Sequence, residues 1–173
     1  MENQSYKIID NFLNNEHFNV LKNIMFKEDF FWNYNKTQVY YINKPSDGSM
    51  FFHRIFNNNR IIDHYLYNEH MLHILDCLNC NALINIKANM YINVNNRFTS
   101  YWHTDHGIKN AFTAIFYMNN NNGYTLLDED KKIKIDSVEN RMVIFNSFIK
   151  HCAIRQTDED RRVIINFNYI QNV

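Results

Sequence analysis

A histidine and an aspartate separated by one residue, His103 and Asp105, have the spacing of paired metal ligands. On a strand, residues i and i+2 point to the same face, so an imidazole and a carboxylate can approach one ion together. His151 follows a strand-like run, RMVIFNS, and offers a second imidazole from a separate segment. Two histidines and one carboxylate on one side of a metal leave coordination positions open for other ligands. The competing interpretation is a chance triplet, in which His103 only hydrogen-bonds to the neighbouring carboxylate.

Two arginines, Arg161 and Arg162, begin the β-branched run that follows His151. A guanidinium group can bind a carboxylate through two parallel hydrogen bonds, which an ammonium group cannot do. On a strand, Arg161 shares its face with apolar residues only, whereas Arg162 shares its face with Asn166 and Asn168. Because a polar face is typical of a pocket lining, we predict that Arg162 binds an anionic ligand. Arg161 is the alternative, and a structural ion pair is the other interpretation of this pair.

The segments that must position these residues change character near residue 82. From there to about residue 170, short β-branched and aromatic runs are separated by Asn- and Asp-rich turns. The runs are ALINIKANMYINV, FTAIFYMN, TLL, KIKI, RMVIFN and RRVIINFNYI. Their periodicity of two predicts a compact β unit over about residues 82–170.

The N-terminal part, about residues 1–80, is dominated by helical periodicity. Apolar spacing over residues 6–26 predicts a short strand followed by an amphipathic helix. A second helix is predicted over Ile61–Cys77, and Lys36–Ile42 carries a strand-like run. No linker divides the chain, so residues 1–173 are expected to form one domain that is mainly β, with N-terminal helices as support (an α+β arrangement).

The ordered C-terminal segments resemble the Fe(II)/2-oxoglutarate-dependent oxygenases. The resemblance is to the prolyl-4-hydroxylase-like group, in particular its small members from tailed phages and marine bacteria. It covers about residues 82–170 and rests on ALINIKANMY, HTD, FTAIFYMNNNNGYTLL, NRMVIFNSFIKH and RRVIINFNY, in family order. It implies a double-stranded β-helix, a jelly-roll or cupin-like barrel of two facing sheets with the ligands at its open end.

By this resemblance, His103, Asp105 and His151 would bind Fe(II), and Arg162 would bind the distal carboxylate of 2-oxoglutarate. Because Asp105 is present, where halogenating relatives have a small residue, hydroxylation is the expected outcome. One departure is the dipeptide Asn122-Gly123, where the family often has two glycines.

Three further residues are assigned to the 2-oxoglutarate site by resemblance alone. Tyr117 matches a tyrosine that hydrogen-bonds the co-substrate carboxylate in hydroxylases of this group. Asn89 and Tyr91 look like the Asn-x-Tyr pair that contacts 2-oxoglutarate in the nucleic-acid-demethylating branch of the superfamily. For each of them the alternative is packing on a half-buried strand.

The resemblance implies a dioxygenase that consumes O2 and 2-oxoglutarate, hydroxylates a substrate C–H bond and releases succinate and CO2. The expected substrate is a small molecule or peptide, namely a free or peptidyl amino acid, with proline as the default. The alternatives are a nucleobase-modifying oxygenase of the same chemistry and a non-catalytic cupin-like binding or structural domain.

Charge and composition limit the kinds of partner and the cellular setting that are expected for this protein. Lys+Arg and Asp+Glu both total 18, and the pI is about 7.1. This balance disfavours nucleic-acid binding, although a local basic patch is compatible with it. A secretory signal is not recognisable, and no apolar run reaches the ~18 residues of a membrane span. Three cysteines do not form a disulfide framework, so we expect a reducing, cytoplasmic setting, which for a phage protein is the host cytoplasm. No oligomeric state is predicted.

Overall fold

The chain folds into two antiparallel sheets in a computed structural model that describes residues 6–39, 42 and 45–171. The larger sheet contains β1 (Tyr6–Ile9), β2 (Asn33–Asn35), β3 (Met50–Asn57), β4 (Arg60–Ile61), β5 (Ala82–Ile92), β6 (Ala111–Tyr117), β9 (Arg141–Asn146) and β11 (Arg161–Ile170). The smaller sheet contains β7 (Tyr124–Leu127), β8 (Ile133–Asp136) and β10 (His151–Ile154). The strand order is β1-β9-β6-β11-β5-β3-β2 in the larger sheet, with β4 on β3, and β10-β7-β8 in the smaller one.

The helices cover one face of the larger sheet. They are α1 (Asn15–Met25), α2 (His64–Leu66) and α3 (Leu72–Cys77), with a π-helical turn (Tyr67–Met71) joining α2 to α3. The side chain of Asn14 caps α1 by accepting a hydrogen bond from the His17 amide at 2.9 Å. Phe18, Leu21 and Met25 recur along one side of α1 and are buried against the sheet.

Alternation along the strands creates two apolar layers. On β11, Val163, Ile165 and Phe167 face the helices and belong to the outer hydrophobic cluster. Ile164 faces the opposite way and packs in an inner cluster between the two sheets, where it meets Leu127 of β7 and other residues of the smaller sheet. The two sheets therefore face each other around their own interior. The predicted fold class, mainly β with N-terminal helices and a double-stranded β-helix, is confirmed.

The N-terminal part differs from its predicted helical character. Strands β2, β3 and β4 extend the larger sheet beyond β5, so this part supplies sheet as well as helix. The second helix begins at His64 and not at Ile61, because Ile61 pairs within the sheet and the Asp63 side chain caps the helix at the Leu66 amide. In the run Lys36–Ile42, residues 36–39 and 42 form no strand, and residues 40 and 41 lie outside the described residues.

Within the described part of the chain, no helix is long and apolar enough to cross a membrane.

Candidate metal centre and carboxylate pocket

The two candidate histidines lie opposite each other on neighbouring extended segments. His151 begins β10, and its amide donates to the His103 carbonyl at 2.8 Å, while the His103 amide donates to the His151 carbonyl at 3.0 Å. Asp105 departs from the sequence expectation, because it lies in a bend after this pairing and not on a strand. The bend, in place of strand alternation, returns the carboxylate to the imidazole rings.

The three side chains converge on one point. One potential ligand atom from each of His103, Asp105 and His151 lies within 4.8 Å of the other two. Oδ1 of Asp105 is 3.8 Å from Nε2 of His103 and 3.8 Å from Nε2 of His151. Bonds from such ligands to a first-row divalent ion are about 2.0–2.2 Å long, so small side-chain adjustments suffice to close the set around one ion.

The outer nitrogens of both rings are directed at main-chain carbonyls. Nδ1 of His103 lies 3.0 Å from the Tyr101 oxygen, and Nδ1 of His151 lies 3.4 Å from the Ile149 oxygen. These contacts favour the tautomer with hydrogen on Nδ1, which leaves the Nε2 lone pairs facing Asp105. In metal sites, a main-chain carbonyl that accepts a hydrogen bond from the second ring nitrogen fixes the orientation and the tautomer of a histidine in this way.

The two carboxylate oxygens of Asp105 have different neighbours. Oδ2 accepts hydrogen bonds from Thr113 Oγ1 at 2.8 Å and Asn168 Nδ2 at 2.8 Å, with Asn166 Nδ2 at 3.4 Å. Oδ1 faces the histidine Nε2 atoms. The three donors therefore orient the group and leave one oxygen for a cation.

Burial and charge set the protonation states of this cluster. Burial lowers the pKa of His151 to about 4; His103 also lowers it, and Asp105 partly offsets the shift. For Asp105, burial raises the pKa, but the neighbouring His151 and His103 and the hydrogen bonds from Asn168 and Thr113 outweigh burial and hold the pKa well below its usual range. At neutral pH the cluster thus offers a neutral imidazole and an anionic carboxylate, the forms that bind a metal.

Arg162 lies inside the barrel with no exposed surface. Its Nε donates to Ser137 Oγ at 2.8 Å, and its Nη2 donates to Thr125 Oγ1 at 3.1 Å. Nη1 is buried and has no hydrogen-bond partner among the described residues. An unsatisfied buried guanidinium N–H is costly, and a carboxylate is the natural group to satisfy it.

Arg161 lies on the other side of the same strand. Its guanidinium donates to the Phe26 carbonyl at 2.9 Å and lies over the Phe26 ring, outside the barrel. The structure thus separates the two arginines as strand parity predicts, with Arg162 directed inward.

Tyr117, Tyr91 and Asn89 surround the same interior space. Tyr117 is fully buried and donates to Thr125 Oγ1 at 2.8 Å, while Tyr91 lies across from Arg162, with 5.5 Å between its ring centroid and the guanidinium carbon. Asn89 is buried, and in the part of the chain that the structure describes its Oδ1 has no hydrogen-bond partner. All three are positioned around the Arg162 pocket, and their role as 2-oxoglutarate ligands stays a prediction.

A cavity of about 70 Å³ lies beside the metal cluster and reaches Tyr91 and Thr125, two residues that contact Arg162. Asn89, Tyr91 and Thr125 form part of its wall beside the three candidate ligands. Gln38 and Val39 lie over it, held by the buried carboxylate of Asp47, which accepts from the Gln38 amide at 2.8 Å. One wall of the cavity therefore comes from the N-terminal segment.

Sequence reasoning missed the polar residues that support the site. Thr113 and Asn168 orient Asp105, and Thr125 and Ser137 hold Arg162. A signal existed for Asn168, since it shares strand parity with Arg162. The hydroxyl residues carried none, because Thr and Ser are ordinary in strands and turns.

The comparisons with known proteins agree with this geometry at the level of the fold. No protein-family model matches the chain, and no curated protein matches it. Among solved structures, a prolyl-4-hydroxylase from Pseudomonas putida matches with a TM-score of 0.66 at 12% identity, over 99% of this chain and 95% of that chain. A prolyl hydroxylase from Trichoplax adhaerens, in complex with a hypoxia inducible factor oxygen degradation domain peptide fragment, matches with a TM-score of 0.68 at 15% identity, over 98% and 84%.

A third similar structure is the viral collagen prolyl hydroxylase of Paramecium bursaria Chlorella virus-1, as its 2-oxoglutarate complex. Its TM-score is 0.56 at 13% identity, over 99% of this chain and 98% of that chain. The chain therefore has the fold of the 2-oxoglutarate- and Fe(II)-dependent oxygenases, and its structural relatives include the prolyl-4-hydroxylase-like group that the sequence resembles.

Proposed function

We propose that this protein is an Fe(II)- and 2-oxoglutarate-dependent dioxygenase that hydroxylates a substrate C–H bond. His103, Asp105 and His151 hold the iron, and Arg162 binds the distal carboxylate of 2-oxoglutarate. The observation that carries the proposal is the convergence of three ligand atoms within 4.8 Å of one another at a cavity whose wall includes Tyr91 and Thr125, which contact Arg162.

The donor set fits the metal and the co-substrate. Each imidazole presents Nε2, and Asp105 presents Oδ1, so two nitrogens and one oxygen face a single point. Two histidines and a carboxylate with open positions are the ligand set of non-haem Fe(II) oxygenases. The buried Nη1 of Arg162 has no partner within residues 6–39, 42 and 45–171, as expected for a group that donates to a ligand oxygen.

When bound, the iron supplies the oxidation, in which O2, 2-oxoglutarate and a C–H bond yield succinate, CO2 and an alcohol. The protein residues orient the reactants. Thr113 and Asn168 fix the carboxylate of Asp105, and Thr125 holds the Arg162 fork toward the pocket. The apolar walls of the inner cluster exclude water, which strengthens the pairing between Arg162 and a carboxylate.

The proposed substrate is a free or peptidyl amino acid, with proline as the first choice. Three structural relatives are prolyl hydroxylases, and one of them was solved with a peptide. Modification of a nucleobase is the second candidate, favoured only by the Asn89-x-Tyr91 pair, and the neutral charge balance opposes it. Convergent ligands, and the Nη1 of Arg162 that finds no partner among the described residues, support catalysis over a purely structural barrel.

We also propose that residues 1–173 act as one oxygenase domain, with a β-core over about residues 82–170. From the cysteine content we also propose a reducing, cytoplasmic location, which for a phage protein is the host cytoplasm.

The test is succinate formation by the purified protein with Fe(II), ascorbate, O2 and 2-oxoglutarate, with and without proline-containing peptides. We expect slow turnover without substrate, faster turnover with the correct substrate and none in Asp105→Ala. His64→Ala, at an exposed histidine of α2, is the matched control and should retain turnover. Absence of succinate from the wild-type protein with saturating iron and 2-oxoglutarate contradicts the proposal.

A further inference from the structure

One lysine lies in the wall of the metal cavity. Lys87 is in the middle of β5, on the same face as Asn89 and Tyr91, and it lines the cavity together with the three candidate ligands. Its partner across the strand pair on β11 is Asn166, whose amide group is 3.4 Å from Oδ2 of Asp105. The lysine therefore belongs to the metal end of the cavity.

Lys87 faces a second cation and makes no ion pair within the described part of the chain; Asp105, the anion whose charge acts on it, is itself a candidate metal ligand. Arg54 of β3 is its direct cross-strand neighbour, so both side chains project from the same face of the sheet. Among the residues that the structure describes, neither side chain makes a hydrogen bond or an ion pair, and Arg54 only lies over the Phe52 ring at 5.3 Å. Like charges directly opposite each other destabilise a sheet, so this arrangement favours binding of an anion between them.

The proposed reaction components do not supply that anion. Iron and Arg162 together balance the charges of Asp105 and a 2-oxoglutarate dianion. The other buried cation near the cavity, Arg155, has Asp47 as its anionic neighbour. The positive charge of Lys87 is therefore uncompensated when the metal and 2-oxoglutarate are bound.

The position of Lys87 also separates it from the co-substrate pocket. On β5, Arg162 pairs with Tyr91, and Lys87 lies four residues earlier, roughly 13 Å along the strand. Asn89 lies between them on the same face. The two cations are therefore well separated along β5, and the contact between Asn166 and Asp105 puts the metal ligands near the Lys87 position.

We propose that Lys87, assisted by Arg54 at the rim, binds a carboxylate of the substrate and so selects a small acid, such as a free amino acid. This inference rests on the proposed dioxygenase function and names the substrate class of that site. Burial lowers the pKa of Lys87; the charge of Asp105 partly offsets this shift, and the charge of Arg54 adds to it. A lowered pKa is expected for a buried ammonium group that makes no ion pair.

The depth of Lys87 favours a small molecule over a polymer. Its side chain is half-buried in the cavity wall, so an anion must enter the cavity to reach it. A free amino acid carries a terminal carboxylate close to its C–H bonds, whereas an internal peptide residue carries none unless its side chain is acidic. An amino acid held at Lys87 by its carboxylate would place its side chain near the metal ligands.

The experiment measures succinate formation by the iron-loaded enzyme with free L-amino acids, the same amino acids as C-terminal amides, an acidic peptide and inorganic phosphate. The variants are Lys87→Met, which removes the charge at similar size, and Lys87→Arg, which retains it. Lys7→Met, at an exposed position of β1, is the matched control. Calorimetric titration of the stimulating acid gives its Kd independently of turnover.

We expect a free acid to stimulate turnover and its amide to fail. Lys87→Met should raise the KM and Kd of the acid roughly tenfold to hundredfold, the effect of losing a hydrogen bond to a charged group. Lys87→Arg should recover most of the affinity, and Lys7→Met should match the wild type. The 2-oxoglutarate KM and the metal affinity of Lys87→Met should stay close to those of the wild type, and Lys7→Met should also keep the wild-type turnover without substrate.

Several outcomes overturn this inference and leave the dioxygenase function intact. They are equal stimulation by acid and amide, stimulation by the peptide or phosphate alone, stimulation by no acid, and an unchanged Kd in Lys87→Met. A loss of metal affinity in Lys87→Met would instead show that the lysine supports Asp105, and a loss of 2-oxoglutarate affinity would show that it binds the co-substrate. Loss of all turnover in the wild type is the separate failure of the proposed function.

Discussion

His103 and His151 exchange both of their main-chain hydrogen bonds, at 3.0 and 2.8 Å, although they are far apart in the sequence. This pairing fixes the spacing of the two imidazole rings, whose centroids are 4.3 Å apart, before any metal binds. The ligands are thus placed by main-chain pairing, and side-chain hydrogen bonds then select the atoms that face the cavity. Preorganisation of this kind reduces the ordering that metal binding requires.

The first prediction separates the two arginines. Arg162→Lys keeps the charge but removes the fork that Thr125 and Ser137 hold, so we expect 2-oxoglutarate affinity to fall roughly tenfold to hundredfold. Arg161→Lys, whose side chain lies outside the barrel on Phe26, should leave it unchanged. Calorimetry with the metal-loaded variants measures both. Equal losses in the two variants, or a loss only in Arg161→Lys, would contradict the assignment of Arg162.

The second prediction concerns the support of Asp105. Thr113→Val removes a hydroxyl donor 2.8 Å from Oδ2 at nearly constant volume. Loss of such an orienting group typically weakens metal affinity roughly tenfold to hundredfold, and we expect that range for Fe(II). Competition with a chelator indicator under anaerobic conditions gives the affinity. An unchanged affinity would show that Asp105 is not held for a metal by this contact.

The third prediction is a pH dependence of the metal-free protein. Burial lowers the pKa of His151 from 6.5 to about 4, so between these pH values the unfolded chain binds a proton that the folded chain does not. The free energy of unfolding must then fall as the pH drops from 6.5 to 4, by about 3 kcal/mol from this residue, and must be unaffected by it above pH 6.5. Asp105 stays ionised throughout that interval, because its pKa lies below it.

Urea unfolding at pH 7 and pH 4.5 measures this effect, and His151→Gln is the comparison because it removes the imidazole that takes up the proton. The difference in stability between the two pH values should be smaller in the variant. The same pH dependence in both proteins would show that His151 is not buried as a neutral imidazole.

The fourth prediction tests the turn in which the sequence departs from the double glycine of the family it resembles. A Cβ on Gly123 would lie 2.9 Å from the Gln156 nitrogen and 2.9 Å from the Ile154 oxygen, both main-chain atoms that cannot easily move. We expect Gly123→Ala to lower the free energy of unfolding by about 1–3 kcal/mol. Gly107→Ala, with nothing within 4 Å of the added Cβ, should be neutral or slightly stabilising. Equal effects of the two substitutions in thermal unfolding would refute the close approach at Gly123.

Much of the barrel was predictable because strands have a period of two. The runs that became β5, β6, β9 and β11 are short and rich in β-branched and aromatic residues, and strand parity directs Arg162 inward. Strand β3 was not predicted, because MFFHRIFN mixes apolar and basic residues on both faces, and its pairing with β5 is a tertiary contact.

The site itself was only partly accessible to sequence reasoning. His103, Asp105 and His151 stand out by residue type, but the bend at Asp105 is set by contacts with Thr113 and Asn168 that no local pattern indicates. Lys87 was missed although its parity with Asn89 was readable, because a lysine in a strand is ordinarily assigned to the solvent face.

The most direct test of the metal and co-substrate site is an anaerobic titration of the purified protein with Fe(II) and then 2-oxoglutarate. The visible charge-transfer band of the chelate is the signal, and His103→Ala, Arg162→Lys and the exposed control His64→Ala are measured beside the wild type. We expect the band in the wild type and in His64→Ala, its absence in His103→Ala, and a shift to higher 2-oxoglutarate concentration in Arg162→Lys. A wild-type protein that shows no band at saturating iron and 2-oxoglutarate would contradict the account and leave a barrel that binds without oxidising.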